Sequence, residues 1–150
     1  MSTYDLLDNC IRIERTAGQI YSIFMQQQEA HPELASLWEK TADEERSHEQ
    51  QFILAQRLAH SVRTDPTDAP KKSEEIVKKM EEIKARVTST PLPPAESLRL
   101  AIAMEERLAE FHLNQMRIFT DESMNRLFES MMANDRNHVT ALKSTLEAMQ

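Results

Sequence analysis

One cysteine, one glycine and two tyrosines in 150 residues narrow the field before any pattern is read. The lone Cys10 cannot close an internal disulfide, which suits a reducing cytoplasm, and it cannot build a four-cysteine iron centre of rubredoxin type. No long β-branched run appears, while Ala, Leu, Glu, Lys, Gln, Arg and Met dominate, so the expected fold class is all-α. No apolar stretch of about 18 residues is present, so no membrane-spanning segment is expected. The N-terminus has no basic start leading into an apolar core, so no signal peptide is expected. The formal charge is −7 and no dense basic face exists, which argues against a nucleic-acid partner. Hydrophobic residues nevertheless make up 40% of the chain, enough for one domain over 1–150 with a genuine core rather than a disordered acidic tail.

Periodicity and breakers divide the chain. A helix is expected over about 5–29, with Leu6, Cys10, Ala17, Tyr21 and Phe24 on its apolar stripe. His31-Pro32 breaks it, and a second helix should cover about 32–61, with Leu34, Trp38, Thr41, Phe52, Ala55 and Leu58 inward. Residues 62–70, with Pro66 and Pro70, read as a linker. A shorter helix follows, capped by Ser73, with Ile76, Val77, Met80, Ile83 and Val87 as its apolar side. The string STPLPP, residues 89–94, ends it. A third long helix is expected over about 95–119, and a fourth, capped by Thr120 or Asp121, to about 148. Short loops make each pair of long helices an antiparallel hairpin, and the roughly 30 residues between the pairs suffice for a crossover containing a short extra helix. Two hairpins with one long crossover is the ferritin-like four-helix arrangement.

Acid and histidine interrupt the apolar stripe of every long helix. The residues are Glu14, then Glu45 and His48 within EERSH, then Glu105 within AMEERL, then Asp135 and His138 within NDRNH. Glu14 lies 31 residues before Glu45, and Glu105 lies 30 before Asp135. The pattern of carboxylate, spacer and carboxylate-x-x-histidine therefore occurs twice. With turns near the midpoints, two arms of about 15 residues at 1.5 Å each return to the same level, so six side chains can converge on one layer. Two divalent cations carry +4 and four carboxylates −4, and the oxygen-rich set with imidazole suits transition metals. Di-metal carboxylate bundles use this pattern.

The sequence resembles the rubrerythrin branch of the ferritin-like superfamily. IERTAGQIYSIF is similar to that family's first helix, with Glu14 at the ligand position; TADEERSH is similar to its Glu-x-x-His segment; AMEERLAEF is similar to its third helix, with Glu105 as ligand. The resemblance covers the four long helices and implies two iron ions in a non-haem centre that reacts with peroxide or dioxygen. Three features depart from it: Asp135 stands where Glu is usual, Leu108 falls where a further third-helix glutamate is expected, and no rubredoxin-type centre accompanies the helices.

A lone Glu-x-x-His arises often on solvated faces, but two half-matching copies, Glu-x-x-His and Asp-x-x-His, with matched upstream carboxylates do not. Glu44 and Glu106 would replace their neighbours only if the helix phase differed; with Glu49 and Glu110 they are expected at the surface. Tyr21 and His112 each lie seven residues past a carboxylate, on its face of the helix, and are candidates for hydrogen bonds to ligands, for a radical or proton route, or for ordinary core. The leading function is a redox enzyme that reduces peroxide or dioxygen with an external electron donor. The alternatives are a metal-binding or storage protein without turnover, with manganese or zinc also compatible, and a structural bundle with a lapsed site. A homodimer is compatible with either.

Overall fold

The computed structural model describes residues 3–58, 69–116 and 118–150. Nearly all of them are helical, in five α-helices: α1 (Thr3–Gln27), α2 (Pro32–Leu58), α3 (Ala69–Ser89), α4 (Pro94–Gln115) and α5 (Glu122–Ala148). The all-α class expected from composition is observed. None of these helices is long and apolar enough to cross a membrane. The chain divides into two compact units, one holding α1, α2 and α3, the other α4 and α5.

In the first unit α1 and α2 form the expected antiparallel hairpin. Its turn is closed by backbone bonds from Gln28 N to Phe24 O and from His31 N to Gln28 O, both 2.9 Å. Pro32 opens α2, where a missing N–H costs nothing. Trp38 is fully buried beside this turn. Its ring stacks on Tyr21 at 5.6 Å and lies 5.0 Å from Phe24, and its Nε1 donates to Gln28 Oε1 at 2.8 Å. The inward stripe of α2 stops at Phe52. Ala55 is only partly covered and Leu58 is 62% exposed, against expectation, because α2 reaches the first residues of α1 already at Gln56, whose side chain donates to Tyr4 O.

Helix α3 packs on α1 and runs parallel to it. Three hydrogen bonds fix the direction: Asn9 Nδ2 to Ser73 Oγ at 2.9 Å, Thr16 Oγ1 to Glu81 Oε1 at 3.1 Å, and Gln27 Nε2 to Val87 O at 2.8 Å. The connection thus travels the length of α1, as a crossover must. Two expectations change here. Pro70 is not linker but lies in the first turn of α3, and Ser73 is not a cap. Ser73 is buried inside the helix, donating to Pro70 O at 2.7 Å and accepting from Asn9. The rest of the expected linker, residues 62–68, lies outside the described residues, as does the expected end of α2 at 59–61.

In the second unit α4 and α5 form the other hairpin. Helix α4 ends at Gln115, four residues earlier than expected, with Met116 already extended. The side chain of Asn125 explains the early end. It accepts from Phe119 N and donates to Phe119 O, both at 3.1 Å, so Phe119 is bound to α5 rather than to α4. Phe119 also stacks on Phe128 at 5.5 Å. Of the two expected caps, Asp121 acts, accepting from Ser123 N at 2.9 Å.

Cys10 sits on the buried face of α1, where burial pushes its thiol pKa well above the usual value. In the unfolded chain a thiol ionises near about 8.5, so above that pH unfolding releases a proton that the folded state retains. This contribution to stability is complete below the unfolded pKa and is lost as pH rises. Between pH ~9 and ~10.5 the wild type should lose about 2 kcal/mol relative to Cys10→Ala, read from denaturant midpoints. Parallel pH profiles for the two proteins would show that the thiol ionises alike in both states.

Candidate metal centre

The residue following each carboxylate settles the helix phase. Arg15, Arg46, Glu106 and Arg136 are all exposed, whereas Glu14, Glu45, Glu105 and Asp135 are fully buried. One residue along a helix turns the side chain by about 100°, which separates the two sets. The exposed charges pair at the surface, Arg15 with Glu49 at 2.9 Å, Arg46 with Asp43, and Lys143 with Glu106 at 3.5 Å. Glu44 and Glu49 are half-buried and Glu110 is exposed, so none displaces a chosen carboxylate.

In the first unit, Glu14 on α1 and Glu45 and His48 on α2 each offer one donor atom, all within 4.8 Å of one another. His48 Nδ1 is 3.7 Å from Glu14 Oε2 and 3.8 Å from Glu45 Oε2. These separations exceed a hydrogen bond. They are close to the spacing, about 3.0–3.6 Å, of neighbouring ligands that each lie 2.0–2.2 Å from one cation. Glu45 and His48 are one turn apart and so face the same way. Tyr21 is buried two turns along α1 from Glu14, with its ring against Trp38.

In the second unit, Glu105 on α4 and Asp135 and His138 on α5 likewise offer donor atoms within 4.8 Å of one another. His138 Nδ1 lies 3.4 Å from Glu105 Oε1. Here a fourth group takes part: His112 Nδ1 is 2.5 Å from Asp135 Oδ2, and both side chains are buried. Sequence spacing placed His112 on the face of Glu105 but did not pair it with Asp135. Leu108 is buried, one turn from both Glu105 and His112.

A family model for rubrerythrin matches residues 5–146. The chain belongs to the rubrerythrin family. No significant match was found among curated proteins or among solved structures. Family membership agrees with the all-α fold and with the expected resemblance to the rubrerythrin branch. Each hairpin of this rubrerythrin-family chain supplies two buried carboxylates and one imidazole. Mixed oxygen and nitrogen donors of this kind fit a divalent transition metal, and the chemistry of the set is compatible with a di-iron site.

Proposed function

We propose that the chain is a non-haem di-iron protein that reduces peroxide or dioxygen, with Glu14, Glu45, His48, Glu105, Asp135 and His138 as the ligands. The observation that carries this reading is the repeat of one buried donor set, two carboxylates and an imidazole, in each hairpin. Iron held there would supply electrons to the oxidant and stabilise the charge that develops on its oxygens. The four carboxylates offset the +4 of two ferrous ions. Burial keeps bulk water from the donors and strengthens every electrostatic interaction they make. An external donor is required to restore the electrons.

Leu108, an apolar residue where the family's further glutamate would fall, favours a second reading, metal binding without turnover. The first of two measurements tests both readings and the second separates them. Anaerobic iron(II) titration, followed by desalting and metal analysis, should give two irons per chain. Continuous peroxide consumption with a supplied electron donor identifies the enzyme, and a single stoichiometric oxidation identifies the binder. Less than one metal per chain, with iron, manganese and zinc all tried, would overturn both.

A further inference from the structure

His112 is not one of the six proposed ligands, yet it makes a close polar contact with one of them. Its Nδ1 lies 2.5 Å from Asp135 Oδ2, with both side chains out of water. A carboxylate ionised by a bound cation only accepts hydrogen bonds, so with a cation present the imidazole would be the donor and the bond charge-assisted. We propose that His112 is a positioning residue for Asp135. Its Nδ1–H would hold Oδ2 and fix the orientation in which Asp135 meets a bound cation. The inference rests on the di-iron reading above.

The geometry of an antiparallel helix pair explains why these two residues meet. Helical side chains lean toward the N-terminus of their own helix. His112 on α4 therefore leans toward the level of Leu108, and Asp135 on α5 leans toward the level of Met131. In the hairpin these levels face each other, so the side chains converge from opposite sides. The ring of His112 lies against those of Phe111 and Phe128, with centroids 5.7 and 6.0 Å away, which limits its rotation.

Asp135 is also the carboxylate with the shorter arm. A glutamate there would carry its oxygens one methylene further, into the space the imidazole occupies. Short carboxylate and histidine thus form one unit, and the two metal positions are unequal: the one nearest His138 depends on the His112 bond, and the one nearest His48 does not. Removal of a residue that orients a ligand typically weakens metal affinity by roughly 10–100-fold.

The test is anaerobic iron(II) calorimetry on the full chain, comparing the wild type with His112→Leu and His112→Asn. Asparagine places an amide N–H close to where Nδ1 was; leucine removes the donor and keeps an apolar body of similar size. The expected result is two unequal binding steps in the wild type. In His112→Leu the weaker step should fall at least ~10-fold with the stronger step unchanged, and in His112→Asn both steps should stay within about threefold of the wild type. Melting curves of the metal-free variants report folding independently. An unchanged weaker step in His112→Leu overturns the proposal, as does equal weakening in the two variants, which marks His112 as packing. If His112→Leu does not fold, His112→Asn decides alone, and loss of its weaker step overturns the proposal. A wild type with two equal steps overturns the proposal but leaves the di-iron reading standing, whereas a wild type that takes up no iron overturns both.

Discussion

Saturation with ferrous iron under anaerobic conditions is expected to raise the melting temperature by about 8–16 °C. A ligand that binds only the folded state adds RT ln(1 + [L]/Kd), about 4.1 kcal/mol at a thousand times the dissociation constant. For a chain of this size each 1 kcal/mol shifts the midpoint by about 2–4 °C. The proposed ligands come from α1, α2, α4 and α5, and in the unfolded chain the contributions of different helices are separated by tens of residues. The unfolded state therefore has no preformed site, and nearly all the binding energy appears as folding stability. Glu45→Gln keeps the volume of a fully buried side chain and removes its charge. That variant should melt at or above the wild-type temperature without metal, because burying a carboxylate is costly. Its metal-dependent shift should be much smaller. Calorimetric melts with and without iron provide the check, and superimposable wild-type curves would count against a buried metal centre.

Trp38→Ala is expected to cost about 3–5 kcal/mol, the range for deleting a large buried aromatic side chain. The residue is fully buried and closes the turn end of the α1–α2 hairpin. Its removal forfeits the stack on Tyr21, the contact with Phe24 and the bond to Gln28, whose side chain is itself buried. Trp38→Phe retains an aromatic ring but leaves the Gln28 oxygen without its donor, so it should fall between, at about 1–3 kcal/mol. Urea unfolding of the three proteins gives the comparison. A loss below about 1 kcal/mol for the alanine variant would mean that the aromatic cluster does not anchor the hairpin. Because Tyr21 lies on the same face of α1 as Glu14, the alanine variant should also loosen the wall beside that carboxylate.

The helices were legible because their cause is local. The stripe Leu6, Cys10, Ala17, Tyr21 and Phe24 is buried throughout, and so are all five apolar residues expected on α3. His31-Pro32 and STPLPP interrupt helices where proline geometry demands it. The buried state of Glu14, Glu45, His48, Glu105, Asp135 and His138 was equally legible, since two copies of one spacing are hard to produce on solvated faces. Errors gathered at helix ends. Periodicity kept Leu58 inside although it is exposed, and it carried α4 on to Phe119 although Asn125 binds that residue from the next helix. Ser73 read as a cap because serine before a polar turn often is one, yet its hydroxyl is spent on Asn9 and Pro70.

By itself the sequence determined the helical class, the two hairpins and the six buried donors, since each follows from residue type and from separation along one chain. Three things were decided only by tertiary structure: the parallel run of α3 along α1, the early end of α4, and the bond between His112 and Asp135. Each depends on a side chain reaching across to a neighbouring helix. Such reach is set by interhelical distance, by the lean of side chains toward their own N-termini and by what else fills the gap. None of these is encoded in the spacing of residues along a single helix.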